Sequence, residues 1–324
     1  MNFLMDYTNI PHNINFYGGN AGFKKGVTID GNNWIIKYPQ DTSSFSNVDI
    51  SFTTSPLSEY IGSHIYDILG YKVHNTKLGI SYNEAIDIKQ LVVACEDFTE
   101  NGKYSLIDYE AIKNNYSNEL QAKIIELYKT LPKYETNGIA AHTMPIEEIM
   151  LQFEENEIFK NHKEAKQLFW DMVIIDCIIN NNDRNKNNWG LLKNNTSNEL
   201  SIAPIYDNGA SFVSKHTDEK LERLLSDEKA FKNSVLNGMS YYTVNNKLMN
   251  FNNFFIELHN KNLDQDFVGA KNRVIPKVNE KWNDIVEFIE NIPENEDGFK
   301  IISKTKKTFF IKSMKCRIEE LFKS

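Results

Sequence analysis

Cysteine is scarce in this chain: 324 residues contain only Cys95, Cys177 and Cys316. They are odd in number, widely spaced and form no CxxC pair, which argues against a disulfide framework or a structural zinc site. Folding in a reducing cytoplasm is the default expectation. Long apolar runs are also missing, and none approaches the roughly 18 residues of a membrane span. The opening MNFLMDYTNI has neither a basic segment nor an apolar core, so it does not read as a Sec signal. Any export would use a machinery that needs no such signal. Positive charge is not in excess, with a formal net charge of −8 and a pI near 5.5. That balance argues against nucleic acid as the main partner. The lysines from Lys300 to Lys323 form the dense basic cluster and read as the solvated face of an amphipathic helix. No G-x-S-x-G elbow, no G-x-x-x-x-G-K-[ST] loop and no H-x-x-x-H pair occurs, which removes support for a serine hydrolase, a P-loop NTPase and a helical zinc site. The seven histidines, His74 among them, read as surface or satisfied core residues. Tyr241-Tyr242, Phe254-Phe255 and Phe309-Phe310 read as helix core.

What is present suits two compact lobes: the length, and 41% apolar residues, enough for a substantial core. The first hundred residues read mainly as β. Gly18 to Gly26 is a glycine-rich loop that takes in Lys24 and Lys25, read as mobile loop lysines. Val27-Thr-Ile leads through a turn at Asp30-Gly31-Asn32 into the strand Trp34-Ile-Ile-Lys37. A helix follows from about Pro56 to Leu69, with Ser55 as cap, Gly70 as stop and an apolar stripe of Leu57, Ile61, Ile65, Ile68 and Leu69. Leu91 to Ala94 is a buried strand ending in Cys95-Glu96-Asp97-Phe98. Beyond it the spacing turns helical, near 118–131, 145–160 and through Leu168, Met172, Ile175 and Ile179. The expectation is an α+β chain, with a β-rich N-lobe at 1–98 and a helical C-lobe at 99–324.

The chemistry concentrates in Asn180-Asn181-Asn182-Asp183-Arg184-Asn185-Lys186-Asn187-Asn188-Trp189, followed by a hairpin and Tyr206-Asp207-Asn208-Gly209. Phosphoryl transfer needs a group that orients the nucleophile and metal ions that neutralise phosphate charge. Asp183 suits the first task. Asn188 and Asp207 suit Mg²⁺, which takes a few carboxylate or amide oxygens together with phosphate. Gly209 is expected to let the chain bend away. Alone, D-x-x-x-x-N in an Asn-rich chain is an ordinary turn. The helix before it and the D-x-G after it make the combination specific. Upstream, Lys37 at a strand end is placed for the α- and β-phosphates, where the bland alternative is a solvated lysine. Glu59, off the apolar stripe, is the candidate to hold Lys37, against an exposed helix glutamate. Backbone N–H groups of Gly18, Gly19, Asn20, Ala21 and Gly22 suit phosphate.

At these residues the sequence resembles the HipA-like serine/threonine kinases of bacteria. That family has an N-x-D-R-H-x-x-N loop and a D-x-G metal site, matched here by Asn181 to Asn188 and Asp207 to Gly209. The resemblance spans about residues 17 to 215. It implies a two-lobed protein-kinase-like fold, ATP and Mg²⁺ as cofactors, a protein substrate and an adenine-binding hinge at Leu91 to Phe98, with Glu96 and Phe98 lining it. Asn185 stands where the family has His. The family's loop autophosphorylation serine has no counterpart in 18–26, beside Tyr17, so autophosphorylation is expected mainly outside that loop. The separate N-terminal module of the toxin-type members is missing, so the chain is closer to the family's compact, host-directed form. A host-directed role implies targets inside host cells; a toxin-type role implies a bacterial target such as an aminoacyl-tRNA synthetase. A monomer or weak oligomer is expected. Two other readings stay open on the motif alone: a lipid or small-molecule kinase, since phosphoinositide kinases share D-R-x-x-x-N and D-x-G, and an inactive nucleotide-binding module. The mixed charge of Ser211 to Lys220 leans against the first, the intact Asp/Asn/Asp set against the second.

Overall fold

The structure, a computed structural model, describes residues 3–14, 23–45, 48, 50–84, 86–133, 143–263 and 265–322. It packs as two compact units. One comprises Met1–Tyr104, Pro204–Phe231 and Glu280–Lys315, the other Ser105–Ala203, Lys232–Asn279 and Cys316–Ser324. This division differs from one cut at residue 98, because the segment bearing Asp207 packs with the β-rich unit.

The main sheet of the first unit has five strands: β1 (Met5–Asp6), β2 (Lys24–Ile29), β3 (Asn32–Lys37), β4 (Thr76–Asn83) and β5 (Ile88–Glu96). Their order is β1-β4-β5-β3-β2, with β1 parallel to β4 and the other pairs antiparallel. The β2–β3 turn is the two-residue Asp30-Gly31, with φ of 51° and 83°. Two positive φ values give the primed turn whose twist matches the strands; Asn32 is already in β3. Lys24 and Lys25 are strand residues, contrary to the loop expected from sequence, since the ladder with β3 runs to the Lys24–Lys37 pair. Opposed residues share a face and successive ones alternate. Lys24 therefore shares a face with Lys37. Lys25, opposite Ile36, lies on the side where Val27, Trp34 and Ile36 pack with Tyr7, Val92 and Ala94.

Helix α1 (Ser55–Ile68) packs on β4 and β5. It buries Leu57, Ile61 and Ile65 to 1% exposure or less, and each such burial is worth roughly 1.5–3 kcal/mol. Thr54, not Ser55, stands at the N-cap, and no side chain caps the helix. Its first turn is tied down instead by Thr54 N–H donating to Ser214 O at 2.8 Å, with Pro56 set where its missing N–H costs nothing. Gly70, at φ 74°, stops it: Gly70 N–H donates to Asp67 O and Tyr71 N–H to Tyr66 O. That is the paired-bond ending a left-handed glycine allows. Near the C-terminus the helix Lys304–Leu321 is not wholly solvated on its basic side, because Lys307 is 5% exposed and donates to Glu290 O at 2.7 Å.

The second unit is mainly helical. Its central helix, Lys163–Ile179, begins with a charged, exposed turn and is then buried all round, with Phe169, Trp170, Met172, Val173, Ile174, Ile175, Cys177 and Ile179 in the core. Asn180, at φ 56°, ends it, with Asn181 N–H donating to Asp176 O at 2.7 Å. Asn can take the left-handed conformation that most residues avoid. Gly190–Asn194 then pairs antiparallel with Leu200–Ile202. Phe254 and Phe309-Phe310 lie in helices, as expected, whereas Tyr242 lies in the short strand Tyr242–Thr243, which pairs in parallel with Met144–Pro145. Among the described residues no helix is long and apolar enough to cross a membrane.

Candidate active site

In the first unit, β3, α1 and the segment from Ile205 meet. β3 ends at Lys37, whose Nζ donates to Glu59 Oε2 at 3.2 Å and to Asp207 Oδ1 at 2.9 Å. The Lys37 side chain is 18% exposed, Glu59 1% and Asp207 37%. Burial pushes the Lys37 pKa down, but the carboxylates of Asp207 and Glu59 outweigh it and hold the ammonium well above its ordinary value. Burial pushes Glu59 up, and the Lys37 ammonium, the His74 hydrogen bond and the Asn208 N–H outweigh it, keeping the carboxyl well below its usual range. An ammonium fixed between two carboxylates fits a phosphate-holding group, with Asp207 the more accessible of the pair.

The α1 side of this cluster is a continuous polar network. His74 Nε2 lies 2.9 Å from Glu59 Oε1 and 3.3 Å from Ser63 Oγ, and Asn208 Nδ2 donates to Ser63 Oγ at 3.0 Å. Asn208, the middle residue of D-x-G, is fully buried. It comes this close because α1 carries Gly62 there: a Cβ on Gly62 would stand 2.9 Å from Asn208 Cβ. The left-handed residue of the D-x-G is Asp207, at φ 60°, and not Gly209, which was expected to make the bend. Gly209 instead leaves room beside Glu59, where an added Cβ would sit 3.3 Å from Oε2. Glu59, His74 and Cys95 place three potential metal-ligating atoms within 4.8 Å of one another. Both Glu59 oxygens are already taken, one by the Lys37 cation, and burial keeps the Cys95 thiol protonated. Glu59 and His74 are therefore engaged in the hydrogen-bonded network, with the neutral Cys95 thiol beside them.

The second unit holds the loop after the helix Lys163–Ile179. Arg184, 1% exposed, binds Asp176 twice, Nε to Oδ2 at 2.8 Å and Nη2 to Oδ1 at 3.0 Å, and donates from Nη1 to Asn188 O at 3.1 Å. Asn181 Nδ2 also reaches Asp176 Oδ1 at 3.1 Å. This buried two-point pair locks the loop to the last turn of the helix. Asn188 Nδ2 donates to Asp183 O at 2.7 Å, and Asn185 Nδ2 to Asp183 Oδ1 at 3.1 Å. So Asn185, at the histidine position, orients the Asp183 carboxylate. Trp189 anchors the far end of the loop, stacked on Tyr109 at 4.5 Å and packed near Phe153, Phe159 and Phe169.

The phosphate-loop residues Gly18, Gly19, Asn20, Ala21 and Gly22, with Tyr17, lie outside the described residues. Glu96 ends β5, and its carboxylate accepts from Asn32 Nδ2 at 3.2 Å and from Asn75 Nδ2. The Phe98 ring lies 5.4 Å from that of Tyr206 and 6.5 Å from that of His74. Sequence reasoning missed His74, Asn208 and Asp176. An Asp inside the apolar run Met172 to Ile179, one turn before the helix ends, was the available signal for Asp176.

No protein-family model matches the chain. Among curated proteins, the serine/threonine-protein kinase CtkA of Helicobacter pylori is 30% identical over 279 residues, spanning 86% of this chain and 75% of that protein. Among solved structures, the H. pylori proinflammatory kinase CtkA superposes with a TM-score of 0.77 at 26% identity, over 98% of this chain and 96% of that one. HipA of Shewanella oneidensis MR-1, solved with HipB and operator DNA, gives a TM-score of 0.46 at 10% identity, over 95% of this chain and 66% of that one.

Proposed function

Because the chain belongs to the CtkA family of serine/threonine-protein kinases, we propose that it transfers the γ-phosphate of ATP, with Mg²⁺, to hydroxyl groups of protein substrates and of itself. The observation that carries this reading is the part-buried Lys37 ammonium held at 3.2 Å by Glu59 and 2.9 Å by Asp207. Lys37 holds the α- and β-phosphates, and Glu59 keeps Lys37 extended toward them. Asp183 accepts the proton of the acceptor hydroxyl, its carboxylate oriented by Asn185. Glu96 to Phe98 line the adenine, with the Phe98 ring as apolar surface, and the backbone of Gly18 to Gly22 covers the phosphates.

The metal donors are Asn188 and Asp207. Asn188 spends its amide nitrogen on Asp183 O, which leaves its amide oxygen as the pole for a hard cation, and the Asp207 carboxylate is 37% exposed. Oxygen donors of this kind suit Mg²⁺. The chemistry that Mg²⁺ supplies when bound is neutralisation of phosphate charge. The name proinflammatory kinase, given to the H. pylori protein, supports a host-directed target over a toxin-type one. Residues 18–26 carry no hydroxyl side chain, so self-phosphorylation falls elsewhere.

The test is incubation with ATP labelled in the γ-phosphate, with and without Mg²⁺, against generic proteins and lipids. Label on serine or threonine, Mg²⁺-dependent and lost in Asp183→Asn, is the expected result. Label on lipid alone, or full transfer by Asp183→Asn, would refute the proposal.

A further inference from the structure

His74 is 5% exposed and sits where the chain leaving α1 meets the strand-like segment that leads to Asp207. His74 N–H donates to Ile205 O at 3.2 Å, Ile205 N–H donates to Lys72 O at 2.8 Å, and Val73 bridges Ile205 in parallel. The histidine backbone is thus fixed by the same segment that carries the metal-binding Asp207. Its ring faces Glu59 Oε1 at 2.9 Å and Ser63 Oγ at 3.3 Å, both through Nε2. An ionised carboxylate only accepts, so Nε2 carries the proton.

A glutamate carboxylate turns easily about its last torsion. With Oε1 tied to His74, Oε2 is left facing Lys37 at 3.2 Å. The same imidazole reaches Ser63 on α1, and Ser63 accepts from Asn208, the neighbour of Asp207. Lys37, Glu59, His74, Ser63, Asn208 and Asp207 therefore form a closed circuit, completed by the Lys37–Asp207 bond at 2.9 Å. We infer that His74 is a positioning residue, which holds the Glu59 carboxylate in the orientation that presents Lys37 to phosphate and, through Ser63, ties the D-x-G segment to α1. This rests on the phosphate-holding role of Lys37 proposed above. His74 itself touches no phosphate.

The role predicts a particular kinetic pattern. Removing a group that orients a functional side chain costs about 10- to 100-fold where such shells have been tested, at metal sites. His74→Gln keeps an amide N–H near the position of Nε2, whereas His74→Asn is too short to reach Glu59. We expect His74→Asn to lower kcat at least tenfold (about the low end of that range), with a smaller change in KM for ATP. His74→Gln should recover most of the loss. Glu59→Gln combined with His74→Asn should be no slower than Glu59→Gln alone, because residues acting in one chain are not additive. Thermal melts of both His74 variants accompany the kinetics. Equal kcat for the Gln and Asn variants, with Glu59→Gln impaired, would overturn the inference and leave the kinase reading standing. Wild-type turnover in Glu59→Gln would overturn the Lys37–Glu59 assignment, and this inference with it.

Discussion

Lys24 and Lys37 are directly opposed across β2 and β3, so two ammonium groups share the face that carries Glu59 and Asp207. Burial and the Lys37 charge both lower the Lys24 pKa, while Asp207 and Glu59 raise it, so Lys24 belongs to the same electrostatic group. Lys25 points to the other face and is 8% exposed. Alanine at Lys37 is expected to cut phosphate transfer most, at Lys24 clearly but less, and at Lys25 least. Steady-state rates of the three variants check this order, and equal effects at Lys24 and Lys25 would contradict the shared face. Asn185 offers a second test. Its bond to Asp183 Oδ1 predicts that Asn185→Ala lowers kcat, while Asn185→His, which restores the family's residue, keeps most of it; wild-type kcat in Asn185→Ala would deny the contact a role. The pairing of Lys37 with Glu59 was legible in sequence because a strand-end lysine and an off-stripe helix glutamate are local patterns. His74 was not, because its meaning comes from the bridge of Val73 to Ile205, far along the chain.

At the scale of elements, the strands and helices near the site follow from local signals: the Asp-Gly turn, the α1 stripe, the Gly70 stop. The ends follow less well, because Thr54 is held by Ser214 and the Lys24–Lys25 stretch by β3, both non-local. The closest approach in the site is also non-local. Alanine at Gly62 would favour the helix by roughly 0.8–1.0 kcal/mol. Its Cβ would meet Asn208 Cβ at 2.9 Å and Ser211 Oγ at 3.2 Å, so the D-x-G segment must shift. Gly62→Ala is therefore expected to lose stability and phosphate transfer together, and a variant that melts higher with unchanged kinetics would refute this packing. The segment after the D-x-G carries an acid-sensitive group. Burial, together with the Lys220 and Lys306 charges, pushes His216 down to about 4, and its Nδ1 has no hydrogen-bond partner. A folded pKa below the ordinary one of about 6.5 means that the neutral ring stabilises the fold above that value. The contribution is lost as pH falls from there toward 4. His216→Phe should flatten the dependence of melting temperature on pH across that window, and an unchanged slope would remove His216 as its source.

At the scale of the whole molecule, the order β first and helix second was readable from periodicity. The return of Pro204–Phe231 and Glu280–Lys315 to the β-rich unit was not, since nothing local distinguishes those segments. That return matters for function because it brings Asp207 to Lys37 while Asp183 and Asn188 belong to the other unit. Global stability can therefore test Asp207 as the proposed metal ligand. A ligand that binds the folded state stabilises it by about 2.7 kcal/mol at a hundred times its Kd, so ATP with Mg²⁺ should raise the melting temperature of the wild-type chain. ATP with EDTA should raise it less. The replacement that isolates the carboxylate is Asp207→Asn, since Asp207 sits at φ 60°, which Asn accepts and Ala resists. This variant loses the charge of one of the two carboxylates on Lys37, while its Oδ1 can still accept and Glu59 is retained at 3.2 Å. It should therefore keep the ATP-only shift and lose the increment from Mg²⁺, along with phosphate transfer. If Asp207→Asn keeps the full Mg²⁺ increment in a thermal melt, the negative charge of the Asp207 carboxylate is not what holds the cation, and its assignment as the charged metal donor fails.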